Sequence, residues 1–131
     1  MHLLLKDKYG NYKDVILTDA PGEWFTDWAR DADNHASIGA KWVDEVSDAF
    51  ILIADRAAFK SNLGKERHSL MRLIERLKNT HNNRPTCLAW TKCDCELDEE
   101  IKENLSLKVI NQLPNVKTYS LAVINRKSEN D

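Results

Sequence analysis

Apolar residues recur along this chain in two rhythms, and their alternation carries most of what the sequence says about its fold. Leu3-Leu4-Leu5 and Val15-Ile16-Leu17 are short apolar runs around the turn-like Lys8-Tyr9-Gly10-Asn11, which predicts two strands joined as an antiparallel hairpin. Ala49 to Ala54 (AFILIA) and Thr86 to Thr91 (TCLAWT) are apolar runs of strand length bounded by polar residues, as expected of strands buried on both faces. Val116 to Ala122 (VKTYSLA) is a weaker candidate for the last strand. Between these runs the period lengthens. Ile38, Trp42, Val43 and Val46 stand at i, i+4, i+5 and i+8, with Asp33, Asn34 or Ser37 available as a cap. Leu70, Leu73, Ile74 and Leu77 form one stripe, backed by a charged face of Arg67, Arg72, Glu75, Arg76 and Lys78. Ile101, Leu105, Val109 and Leu113 follow an acidic first turn beginning near Asp98, and Pro114 stops the helix they predict. The expected order is β-β-α-β-α-β-α-β, an α/β domain whose later strands are parallel with helical crossovers. In such sheets ligands sit outside the carboxyl ends of strands, so the loops after Leu17, Ala54, Trp90 and Ser120 are where chemistry is expected.

Composition narrows the function classes. The 131 residues suit one small domain over about residues 1–124, followed by a polar tail from Asn125 to Asp131. Nineteen Lys and Arg stand against twenty-one Asp and Glu, so a formal charge of -2 leaves no net basic field for gripping a phosphate backbone, and nucleic acid is not an expected partner. No run approaches the roughly 18 apolar residues of a membrane span, and His2-Leu3-Leu4-Leu5 ahead of Lys6 is too short for a signal-peptide core. Three cysteines, Cys87, Cys93 and Cys95, are an odd and small count for a disulfide-stapled domain and point to the cytoplasm.

Two strand ends carry candidate chemistry. Val15-Ile16-Leu17 runs into Thr18-Asp19-Ala20-Pro21-Gly22: the aspartate is a hard oxygen ligand suited to Mg2+, and the glycine lets backbone N–H approach a phosphate. The same residues also read as an acidic cap and a Pro-Gly turn into a helix. At the second strand end, Leu88-Ala89-Trp90 runs into Thr91-Lys92-Cys93-Asp94. A carboxylate at Asp94 can accept the two adjacent N–H donors on a guanine edge, which adenine lacks, and the stem of Lys92 can lie across the base. An ordinary polar loop before a helix cap fits this segment equally well.

Taken together and in this order, the two segments resemble the third and fourth signature motifs of the P-loop GTPase family, in their D-x-P-G and T-K-x-D variants. The resemblance runs from about Leu3 to Val123, and the wording DAPGEWF is most similar to prokaryotic GTPases of the double-GTPase kind. It implies a three-layer P-loop NTPase-like fold, a mostly parallel sheet with one antiparallel hairpin strand. It further implies that Asp19 holds the Mg2+ shell through water, that Gly22 senses the terminal phosphate, and that Thr91, Lys92 and Asp94 form the guanine loop. Ser120 and Leu121 fall where the family keeps its fifth, base-contacting loop. The stretch from Glu23 to about Ile38 becomes the second switch, ordered by triphosphate and loosened after hydrolysis. The expected function is a guanine-nucleotide-binding switch that binds and hydrolyses GTP with Mg2+ in an intact protein, with a protein partner at the second switch.

The departures from the pattern shape that expectation. No G-x-x-x-x-G-K-[ST] occurs; Gly64-Lys65 is followed by Glu66 and lacks the earlier glycine. The backbone nest, phosphate lysine and Ser/Thr ligand that supply most of the attraction for a triphosphate are therefore not written in these residues. The family's first strand, first switch and last helix are also unmatched, so the chain reads as a truncated domain, either a piece of a longer G protein or a degenerate relative whose sheet closes differently. Tight nucleotide binding and appreciable hydrolysis are not expected of these residues alone. Glu23 occupies the place where several GTPases orient the attacking water, yet a carboxylate there is repelled by the terminal phosphate unless a cation offsets it. Thr91 replaces the commoner Asn, losing an amide and keeping a hydroxyl. The rival expectation is a non-catalytic α/β module that docks a protein through the aromatic stretch Trp24 to Trp42. A zinc site is disfavoured, because Cys93-x-Cys95 lacks the usual spacing and no second ligand pair follows it.

Overall fold

A computed structural model describes residues 1–19, 22–113 and 115–122. The Ala20-Pro21 step, the expected stop at Pro114, Val123 and the polar tail lie outside the described residues. The chain forms two compact units, Met1–Val46 and Ser47–Asp131.

The first unit opens with the expected hairpin. Strand β1 (His2–Lys6) pairs antiparallel with β2 (Tyr12–Ile16), with Leu4 opposite Asp14 and Lys6 opposite Tyr12. The connection is held by one carboxylate: Asp7 Oδ1 accepts from the N–H of Tyr9 at 2.8 Å and of Asn11 at 2.9 Å, while Gly10 takes a left-handed φ of 86° that favours glycine. These backbone donors, Asn11 foremost, hold the Asp7 carboxyl below its ordinary range.

A helix that the periodicity reading did not separate follows at once, α1 (Gly22–Arg30). Its signal is Trp24 and Trp28 at i and i+4, a helical spacing concealed by being read as an aromatic patch. Trp28 is buried, Phe25 half-buried and Trp24 39% exposed, and Arg30 pairs back to Asp27 at 2.8 Å. A short 3-10 turn over His35–Ser37, capped by Asn34 onto the Ala36 N–H at 2.9 Å, leads into α2 (Ile38–Val46). Here the expected stripe is corrected. Only Val43 of the four apolar positions is buried, beside Ala40 and Asp44, whereas Ile38, Trp42 and Val46 are exposed. Small residues put α2 close to α1: the indole of Trp24 lies against Gly39, where any Cβ would collide with it.

The second unit is an α/β sandwich around a parallel sheet in the order β3-β4-β5. Strand β3 (Phe50–Asp55) pairs with β4 (Thr86–Thr91), which pairs with β5 (Lys117–Ser120). The intervening chain forms α3 (Arg56–Ser61), α4 (Leu63–Thr80) and α5 (Glu99–Gln112), the short α3 being an addition to the expected order. One sheet face carries Leu52, Ala54, Leu88 and Trp90, all buried. Trp90 meets the ring of Phe59 from α3 at 5.3 Å and donates its indole N–H to Ser106 Oγ of α5 at 3.0 Å. The leucine stripe of α4 behaves as its period predicts, with Leu70, Ile74 and Leu77 buried, and at its end His81 hydrogen-bonds Thr86 at 2.6 Å.

Burial of both faces of β3 is the second correction. Ile51 and Ile53 are 57% and 68% exposed, whereas Leu52 and Ala54 are buried on the face where Phe59 of α3 and Ser106 of α5 meet Trp90. The hairpin and the three parallel strands form two sheets, and the mixed α/β class with one antiparallel hairpin holds.

Candidate functional site

Parallel pairing brings the ends of β3, β4 and β5 to one edge: Asp55 is level with Thr91, and Trp90 with Ser120. The loop leaving β4 is tied down by its own backbone. Lys92 adopts φ of 52°, uncommon for a residue with a Cβ, and its carbonyl accepts from the Cys95 N–H at 2.8 Å to close a turn. Cys93 N–H donates to the Leu121 carbonyl at 3.1 Å, and Leu121 N–H donates to the Trp90 carbonyl at 2.7 Å. These two bonds tie the loop after β4 to the segment after β5. The structure thus brings together Thr91, Lys92, Asp94, Ser120 and Leu121, the whole set assigned by resemblance to a base.

Within this set the residues are differently disposed. Asp94 is exposed, while Thr91 is half-buried at the end of its strand. Leu121 has its backbone N–H and carbonyl already engaged, so what it offers a base is its exposed side chain. Ser120 Oγ accepts from Lys102 Nζ of α5 at 2.6 Å. Lys92 Nζ donates to Asp55 Oδ2 at 2.7 Å. That bond holds the Asp55 carboxyl below the ordinary range, helped by the α3 amides and opposed by burial, and it raises the Lys92 ammonium above its own.

A second cation stabilises the same edge from beneath. Arg56 is buried, and its Nη2 donates to the Leu97 carbonyl at 3.0 Å and to Glu99 Oε1 at 3.1 Å, joining β3's end to the start of α5. Burial works against its charge, but the neighbouring Cys93 sulfur and Glu99 carboxylate more than offset it and raise its pKa. Asp98 caps α5 by accepting from Glu100 N–H at 2.9 Å, as its sequence position predicts.

The residues assigned to phosphate and metal belong to the first unit. Asp19 is exposed just beyond the hairpin, Gly22 is the first residue of α1 with open space around its α-carbon, and Glu23 is exposed in the first turn. Among the described residues no group of three His, Cys, Asp or Glu side chains could hold a metal ion, so Cys87, Cys93, Cys95 and His81 form no such cluster. All three cysteines are free thiols, and burial pushes the Cys87 thiol up.

Sequence reasoning pointed to the loop after Ala54 without naming a residue in it. Asp55, Arg56 and Lys102 are the side chains it missed. The signal for the first two was present: an acid and a base directly after an apolar strand, at the edge where such sheets place their ligands. Lys102 had none, because only the tertiary fold carries the first turn of α5 to the end of β5.

A two-unit α/β chain whose strand-end loops carry D-x-P-G and T-K-x-D has the character of a GTPase-type domain. The sequence matches the Double-GTPase 2 family over residues 1–131, and the chain belongs to that family. No curated protein sequence matches it. No helix among the described residues is long and apolar enough to cross a membrane.

Proposed function

We propose that this chain supplies the guanine-recognition loop and the second-switch segment of a cytoplasmic GTP-binding switch. The observation that supports it most is the loop after β4. Its backbone is fixed by three hydrogen bonds, its lysine is held at the sheet edge, and Asp94, an exposed carboxylate inside the turn that Lys92 and Cys95 close, stands at the position where a guanine edge would be read. Two acceptor oxygens on Asp94 suit the N1 and N2 donors of guanine, and adenine would leave them unpaired. Lys92 would lie along the base, with Thr91 and Ser120 bracing the loop and Leu121 contributing its side chain.

On the phosphate side, Asp19 is the single exposed carboxylate of its motif, which fits a Mg2+ that takes one protein ligand, directly or through water, and its other ligands from phosphate and solvent. Bound there, Mg2+ would neutralise charge developing on the phosphate oxygens. The open space at Gly22 suits close approach of a phosphate to the backbone, and Glu23 needs a nearby cation before it can act on a water. Because the 131 residues contain no phosphate-cradling motif, nucleotide binds this chain weakly and hydrolysis by it is negligible. Mg2+-dependent GTP turnover by the chain, abolished by Asp19→Ala, contradicts that division.

The test is an amide NMR titration of the chain with GDP and with ADP at millimolar concentration. Shifts at Lys92 to Asp94 and at Ser120 with GDP, and much smaller ones with ADP, are expected. Equal responses to the two nucleotides refute guanine recognition. A second reading, a non-catalytic module, rests on the exposed line Ile38, Trp42 and Val46 along α2, with Trp42 58% exposed, which suits docking of a protein partner. It predicts that Trp42→Ala abolishes a partner complex while nucleotides do nothing.

A further inference from the structure

The side chain of Lys92 has four rotatable bonds and is 60% exposed, so left alone it would populate many rotamers. It is not left alone. Asp55 Oδ2 receives its ammonium at 2.7 Å, and Asp55 cannot easily turn away, because its other oxygen caps α3 by accepting from the N–H of Ala57 at 2.8 Å and Ala58 at 3.3 Å. Strand pairing fixes the backbone as well, since Asp55 lies level with Thr91, the residue before Lys92. The left-handed backbone at Lys92 and the two bonds tying Cys93 and Cys95 hold the other end of the lysine. Lys92 is therefore anchored at its α-carbon and at its ammonium, with only the methylene stem between.

We infer that Asp55 is a positioning residue of the guanine site: it holds the Lys92 ammonium so that the lysine stem is laid out as a wall for the base before nucleotide arrives. This rests on the guanine reading of Lys92 and Asp94 given above. The two acids then divide the work. Asp94 discriminates between bases, because it pairs with donors that only guanine presents. Asp55 never touches the base; it removes the ordering cost of one long side chain, which helps any base that stacks there. Loss of Asp55 should lower affinity while leaving the ratio of GDP to ADP affinity unchanged, and loss of Asp94 should change the ratio.

Asp55→Asn is the informative variant, because an asparagine oxygen still caps α3 while the charge that holds Lys92 is gone. In the 131-residue chain, amide NMR titration should show GDP affinity weakened about threefold to tenfold by Asp55→Asn, the scale of ordering one rotamer-rich side chain. Lys92→Met should weaken it at least as much, and the double variant no more than Lys92→Met alone, since each change removes the same interaction. A nucleotide-free measurement separates this inference from the reading beneath it: side-chain relaxation at Lys92 Cε should show an ordered lysine in the parent and a mobile one in Asp55→Asn, with the Cys93 and Leu121 amides unmoved. An equally mobile Lys92 in both proteins overturns the positioning role whatever nucleotides do, as do additive losses in the double variant or unchanged GDP affinity in Asp55→Asn. An ordered Lys92 in a chain that responds to no guanine nucleotide overturns the guanine reading and, with it, the role at a base.

Discussion

One methyl group tests how α1 is held after the D-x-P-G segment. Gly39 is the second residue of α2, and a Cβ built on it would fall 2.6 Å from Cζ3 and 2.8 Å from Cδ2 of the Trp24 indole, where ordinary contact begins at 3.4 Å. Gly39→Ala therefore sets two effects against each other. Alanine in a helix gains up to about 1 kcal/mol over glycine, partly by restricting the unfolded chain. Overpacking costs about 1–3 kcal/mol, because the ring must retreat by roughly an ångström. Trp24 is 39% exposed and can swing toward solvent, but it then gives up its contact with α2, so the cost does not vanish. The net expectation is destabilisation of about 1 kcal/mol, near 3–5 °C in melting temperature for a chain of this size. Urea unfolding followed by circular dichroism, on the parent, Gly39→Ala, Trp24→Ala and the double variant, reads it directly. In the Trp24→Ala background the obstacle is gone and Gly39→Ala should turn stabilising. A stabilising effect in the parent, or the same effect in both backgrounds, refutes the Trp24–Gly39 contact as the reason for glycine.

Two further outcomes follow from the second unit. Trp90→Phe removes the indole donor to Ser106 and loosens the packing on Phe59 in a fully buried site, and should cost about 2–4 kcal/mol in urea unfolding; a loss below about 0.5 kcal/mol contradicts the hydrogen bond and the packing together. The Asp55 carboxyl is depressed in the folded state by Lys92, so the stability it contributes is full above the ordinary aspartate value of about 3.9 and disappears as pH falls through its lower folded value. The stability gap between the parent and Asp55→Asn should accordingly be steady from pH 5 to 7 and close below about pH 4, and a gap that widens on acidification contradicts the Lys92 pairing.

How much of this was legible in the sequence depends on which forces decide each element. The strand over 86–91 was readable because burial on both faces demands an unbroken apolar run, and the leucine stripe of α4 because burial against one neighbour imposes a helical period on it. The hairpin was readable because Gly10 and a carboxylate at Asp7 specify the turn locally. The stripe on α2 misled because apolarity there does not report burial: small residues, Gly39 and Ala40, make the close packing, and the large ones face out. The exposed face of β3 was illegible for a similar reason, since an apolar run cannot say whether both faces of its sheet are covered. In the candidate site, the two loops were legible from residue chemistry at strand ends. The pairing of Asp55 with Lys92 and of Lys102 with Ser120 was not, because each joins residues far apart in sequence that meet only when parallel strands align their carboxyl ends.

The central claim is that Asp94 reads guanine, and base exchange tests it most directly. Xanthine carries a carbonyl where guanine carries its 2-amino group, so Asp94→Asn trades an acceptor for a donor that matches xanthine. Binding of GDP and of xanthosine diphosphate to the chain and to Asp94→Asn, measured by the same amide shifts, should show the parent preferring GDP and the variant preferring the xanthine nucleotide. An unchanged preference would mean that Asp94 is a surface carboxylate and that this chain does not select its base there.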